Sequence, residues 1–129
     1  MSKPIRALHV PHADLELLRG PVTDDGGELR QLSGSDYGLI TSIMLGQVVP
    51  GGGPRRHRHP HAEIFVLHDG QGRYEVDGTH IDAEAGDIVI IPPEASHTFT
   101  NTGGSMLRHT AIHQNARAVS VYEDGSRRD

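Results

Sequence analysis

Cysteine does not occur in this chain of 129 residues. Disulfides, thiolate metal ligands and cysteine nucleophiles are thereby excluded, so a metal here has only nitrogen and oxygen donors. No apolar run approaches the length needed to cross a bilayer. The first residues, Met1 to Arg6, have no apolar core followed by a small-residue cleavage site, so a cytoplasmic protein is expected. Positive charge is in deficit too: 12 Lys and Arg stand against 17 Asp and Glu, a formal net charge of -5. Nucleic acid rewards basic surfaces, so it is not an expected partner, and no Lys/Arg cluster suggests an anionic membrane. Hydrophobic residues make up only 35%, whereas 16 Gly and 8 Pro mark many turns. That balance suits one turn-rich all-β domain better than a helical one.

Ten histidines are an excess, and their clustering matters more than their number. A coarse pass predicts a short β-like run at Ile5 to Val10 and a strand or helical turn at Leu15 to Leu18. A polar loop follows at Pro21 to Gly27. Tyr37 to Val49 reads as a β-branched strand, bent at Gly46 and ended by Pro50-Gly51-Gly52-Gly53. Ile64 to His68 stops at the turn signal Asp69-Gly70, and Asp77-Gly78 is the strongest short hairpin signal. Ile88 to Ile91 reads as a buried strand closed by Pro92-Pro93. Further strands are expected at Ser96 to Asn101, Met106 to His113 and Ala116 to Tyr122. Nine or ten short strands in close succession indicate a sandwich or barrel, and a jelly roll fits. In this reading residues 1–36 lead into the barrel and residues 37–122 form it. Residues 123–129 are a charged tail, expected to fray. No internal repeat or low-complexity stretch is evident.

The segment from Gly51 to Glu63 holds His57, His59, His61 and Glu63, and an isolated Pro92-Pro93-Glu94-Ala95-Ser96-His97 answers it downstream. Three imidazoles and a carboxylate are about the minimum that holds a divalent first-row metal and leaves positions open. His57 and His59 share a face if the strand is regular, and Glu63 falls on that face too. His61 has the same parity. Pro60 interrupts the regularity, so His61 is read as a pocket-rim acid or base rather than a ligand.

At these residues the chain resembles a small single-domain cupin. The first cupin motif is matched by Gly51, His57, His59, Glu63 and Gly70, and the second by Gly86, Pro92, His97 and Asn101, with the spacings kept. One position departs: the Gly two after the Pro is Glu94, so that turn must avoid or tolerate a positive φ. The resemblance implies a double-stranded β-helix, the jelly-roll cupin barrel. It also implies that His57, His59, Glu63 and His97 ligate one divalent transition metal, with Fe, Mn, Ni, Co and Zn all compatible. A homodimer is implied as well, and the outward residues Ile64, Val66 and His68 offer an interface for it. The fold hosts many reactions, so the resemblance does not choose one.

Glu63, Phe65 and Leu67 are expected to line the interior, and Phe99 to form apolar pocket wall. Arg73 or Tyr74 could present a cation or a phenol to a substrate. His109 and His113 reach the pocket if they point inward with Ala111; otherwise Arg108, Thr110 and Ile112 do. Gly51 to Gly53 reads as a flexible lip, not a phosphate loop. Arg55, Arg56 and Arg58 are placed at the pocket rim and favour an anionic ligand. The expected function is a metal-dependent enzyme acting on a small organic molecule. It would be a dioxygenase or a Lewis-acid isomerase, lyase or cyclase. A metal-bearing ligand-binding or sensor module without catalysis is the alternative. A barrel with a vestigial site is disfavoured, because all four ligand positions are filled.

Overall fold

The structure, a computed structural model, describes residues 6–18 and 27–129. Among these, twelve strands fold into two antiparallel six-stranded sheets, the jelly roll expected from the sequence. The first sheet contains β1 (Glu16–Leu17), β2 (Glu28–Leu32), β3 (Ser42–Val48), β10 (Leu107–His113), β5 (Glu63–Asp69) and β8 (Ile88–Ile91), in that spatial order. The second contains β12 (Arg127–Arg128), β11 (Ser120–Tyr122), β4 (His57–Arg58), β9 (His97–Asn101), β6 (Gln71–Val76) and β7 (Thr79–Glu84). Single turns of 3-10 helix at His12–Asp14 and Gly34–Asp36 complete the regular structure.

Strand alternation builds the core. On β5, Glu63, Phe65 and Leu67 point inward and are almost wholly buried, while Ile64 and Val66 face out. Tyr74, Leu107 and Ile91 join them from the other strands. The β6–β7 hairpin closes at Asp77-Gly78, where both residues have positive φ (47° and 83°), as a two-residue loop requires. Asn101, the last residue of the second motif, is buried and holds the next turn together. Its amide donates to the carbonyls of Val48 and Ser105 at 2.8 Å each and accepts from the Gly103 N–H at 2.9 Å.

Several expectations are revised. Arg6 to Val10 form no strand, and Ile5 and nearly all of the Pro21 to Gly27 loop lie outside the described residues. Tyr37 to Thr41 are not in β3, which begins at Ser42. Ile88 and Ile90 are not buried: they are 61% and 65% exposed, because β8 is an edge strand and only Val89 and Ile91 turn inward. The tail does not fray, since Arg127–Arg128 pairs with β11. Nor is the glycine segment a free lip. Gly51 N–H donates to Asn101 O and Asn101 N–H to Gly52 O, at 2.9 Å each. A Cβ on Gly53 would lie 1.9 Å from the Phe99 carbonyl oxygen, so only glycine lets the segment lie this close to β9.

Candidate metal centre

His57 and Glu63 do not sit on one strand. β4 ends at Arg58, the chain turns through Pro60, and Glu63 opens β5 in the opposite sheet. His57 pairs in register with His97 across β4 and β9. Both sheets therefore supply donors, and the side chains of His57, His59, Glu63 and His97 converge between them with their ligand atoms within 4.8 Å of one another. The imidazole centroids are 4.4 to 5.0 Å apart. Glu63 Oε1 lies 3.0 Å from His97 Nε2 and 3.1 Å from His59 Nε2.

Each histidine is oriented through its other nitrogen. Nδ1 of His57 lies 2.7 Å from Arg55 O, that of His59 2.7 Å from Val119 O, and that of His97 2.9 Å from Ala95 O. A carbonyl oxygen only accepts, so each Nδ1 carries a hydrogen and Nε2 is the nitrogen left to face the cluster. Burial, with neighbouring His97 and His59, lowers the His57 pKa to about 4, so this ring stays neutral at physiological pH. Burial alone would raise the Glu63 pKa. The contacts with His113, His59 and His97 outweigh it and hold the carboxyl well below its ordinary range. His59 Nε2 is buried with no hydrogen-bond partner. Three imidazole nitrogens and a carboxylate, buried together with their ligand atoms within 4.8 Å of one another and one of them lacking any hydrogen-bond partner, form a donor set that fits a divalent ion.

Beside this cluster, His61 Nε2 lies 3.0 Å from His113 Nδ1, and His113 Nε2 lies 3.1 Å from Glu63 Oε2. Burial and the neighbouring His113 and His59 lower the His61 pKa to about 4. β10 turns His113 inward, which brings it to Glu63, a contact that strand parity alone does not specify. His109, Ala111 and His113 are the inward set on β10, and Arg108, Thr110 and Ile112 point out.

Next to the four donors is a cavity walled by Met44, Phe65, Phe99 and Ala111, with His109 set in its floor and Arg128 of β12 among its lining residues. His109 is buried between the rings of Phe65 and Phe99, each 5.1 Å away, and burial lowers its pKa to about 4. A Cβ at Gly46 would stand 2.6 Å from His109 Nε2, so this glycine makes room for the ring rather than bending the strand. Arg73 does not reach the cavity. It is exposed on β6 and forms a two-point ion pair with Asp82 at 2.9 and 3.4 Å. Tyr74 is wholly buried in the core. Arg55, Arg56 and Arg58 do not line the cavity either. They pair with Asp124 (3.8 Å), with Glu75 and Glu123 (3.2 and 3.6 Å) and with Glu94 (3.2 Å). No helix among the described residues is long and apolar enough to cross a membrane.

Comparison with known proteins agrees with this architecture. An uncharacterized protein of Methanocaldococcus jannaschii is 28% identical over 90 residues, covering 67% of this chain and 72% of that protein. A cupin-like protein of Thermotoga maritima superposes with a TM-score of 0.63 at 26% identity, covering 68% of each chain. Oxalate oxidase gives 0.70 at 19% identity over 81% of this chain, and oxalate decarboxylase of Bacillus subtilis 0.72 at 23% over 82%. This chain spans only 59% and 30% of those two enzymes, and at such identities the likeness is one of fold. The cupin domain pattern itself matches residues 44–113, more than half of the chain and the stretch that carries all four donors, and the chain belongs to that family.

Proposed function

We propose that His57, His59, Glu63 and His97 ligate one divalent transition metal, and that the protein is a metal-dependent enzyme acting on a small organic molecule. The observation that carries this reading is the common anchoring of the three imidazoles, each with Nδ1 on a backbone carbonyl, and the gathering of their ligand atoms and that of Glu63 within 4.8 Å of one another. A divalent ion with four protein ligands supplies a Lewis acid with open positions for substrate oxygens, and for dioxygen if the ion is iron. The protein would contribute the rest. Phe65, Phe99 and Met44 exclude water and seat a hydrocarbon body, while adjacent oxygens of the substrate, such as an enol or catechol-like pair, turn toward the four donors. His109, neutral and without a partner at Nδ1, offers a polar contact among these apolar walls. The rim arginines are already ion-paired, so they no longer argue for an anionic substrate. We also propose a homodimer formed through the outer face of the first sheet.

The test begins with metal analysis of protein purified without added ions. Wild-type protein is expected to carry close to one divalent ion per chain, and His59→Ala to carry none while keeping the β-sheet circular dichroism of the parent. Equal metal content in the two proteins overturns the ligand assignment. Oxygen uptake with catechol- and enol-type compounds then separates the oxygenase from Lewis-acid chemistry. A metabolite that co-purifies and exchanges unchanged from metal-replete protein identifies a binding module instead.

A further inference from the structure

We propose that His113 and His61 form a hydrogen-bonded clamp that holds Glu63 as a one-oxygen ligand. The proposal rests on the metal-site reading above and adds two positioning residues to it. The polarity of the chain follows from what each atom can do. A carboxylate oxygen only accepts, so the favourable partner for Oε2, 3.1 Å away, is an N–H at His113 Nε2. With the hydrogen on Nε2, His113 Nδ1 is the nitrogen that accepts from His61 Nε2–H at 3.0 Å. His61 is left with a bare Nδ1, buried and without a partner in the fold. The carboxylate is thus divided: Oε1 faces His59 and His97, and Oε2 faces away from them toward His113.

The elements that carry the clamp make it rigid. His113 ends β10 and lies directly opposite Glu63 in the β5–β10 pair, so backbone register sets their separation. His61 sits on the turn that carries the chain from β4 to β5 and comes within reach of His113 only because Pro60 breaks the strand there. The His113–Glu63 approach is bent, leaving His113 Nε2 without a well-aligned acceptor, and such contacts tighten when the ligand is in place. Partners that orient a carboxylate ligand govern metal affinity, and losing one costs about 10- to 100-fold. The same three histidines, His59, His61 and His113, could instead be read as a second ion site. In the metal-site reading His59 gives Nε2 to the ion beside Glu63 and Nδ1 to Val119 O, which leaves only two donors for a second ion.

The experiment measures Co(II) binding by titration and by visible absorption in wild type, His113→Phe, His113→Gln and His61→Phe, with thermal melting as the check on folding. Wild type is expected to bind one equivalent. His113→Phe should still bind one, about 10- to 100-fold more weakly and with shifted d–d bands, as the freed carboxylate rotates to use both oxygens. His61→Phe should weaken binding in the same direction by a smaller factor. His113→Gln, whose amide can still donate to Oε2, should restore part of the affinity and the parental spectrum. Unchanged affinity and spectrum in His113→Phe overturns the clamp; if that variant does not fold, the same result in His61→Phe does so. A second equivalent that disappears in His113→Phe while the first is untouched overturns it in favour of a second site. No Co(II) binding by wild type overturns the metal-site reading itself, and the clamp with it.

Discussion

A histidine that stays neutral inside the fold makes stability depend on pH, and three do so here. Burial, aided for His57 and His61 by neighbouring imidazoles, brings His57, His61 and His109 to about 4, whereas the unfolded chain takes up these protons near 6.5. Between those values the unfolded state binds more protons than the native one. Stability is therefore full above about pH 6.5 and falls as pH drops toward 4, by up to about 1.4 kcal/mol per pH unit for each group. Glu63, also depressed, extends the loss to lower pH. Urea unfolding of the metal-free protein at pH 7.5, 6 and 5 should show a steep decline across the last interval. His109→Phe keeps an aromatic ring between Phe65 and Phe99 and should remove one proton's share of that slope. A flat profile from pH 7.5 to 5 contradicts the assignment of buried neutral rings.

At the level of the element, the turn between β8 and β9 aims His97, and its backbone carries the one departure from the family pattern. Glu94 occupies the position expected to be glycine and tolerates the left-handed conformation, with φ of 66°. Its N–H donates to His59 O at 2.7 Å, which ties this turn to the histidine segment and explains why the conformation is kept. A left-handed non-glycine residue costs about 1–2 kcal/mol. Glu94→Gly relieves that cost but adds backbone entropy to the unfolded state and removes an exposed pair with Arg58, each worth about 0–1 kcal/mol. Denaturant unfolding should place Glu94→Gly level with wild type or up to about 1 kcal/mol above it, and the β-branched Glu94→Val about 1–2 kcal/mol below. A Val variant as stable as wild type would show that the turn relaxes out of this conformation.

Motif spacing made the turn, the four donors and the jelly roll legible, because local spacing and alternation determine them. Other features depend on contacts between distant parts of the chain. The contact of His61 with His113 joins positions far apart in sequence, and the charged tail becomes a strand only because β11 offers an open edge. Arg55, Arg56 and Arg58 looked like a cationic rim because their acidic partners, Asp124, Glu75, Glu123 and Glu94, lie on other elements.

For the whole molecule, the outer surface of the first sheet has no covering layer among the described residues. Ile43, Ile112, Ile64 and Ile90 stand in one register row across β3, β10, β5 and β8, and Leu45, Thr110, Val66 and Ile88 in the next. Seven of these eight side chains are aliphatic. Ile88 and Ile90 remain more than half exposed, which a monomer in water would avoid over a contiguous patch. A second copy applied with two-fold symmetry would cover the patch with its own equivalent, the commonest arrangement in homo-oligomers. Glu63, the member of the donor cluster that this sheet carries, points to the opposite, inner face, so assembly and the proposed metal binding are separable. Sedimentation at tens of micromolar should therefore find a dimer for wild type. The pair Ile88→Lys and Ile90→Lys, which sets like charges against each other across the two-fold axis, should give a folded monomer that still binds one divalent ion. A wild-type monomer under those conditions contradicts the dimer, and an Ile88/Ile90 variant that remains dimeric moves the interface off this face.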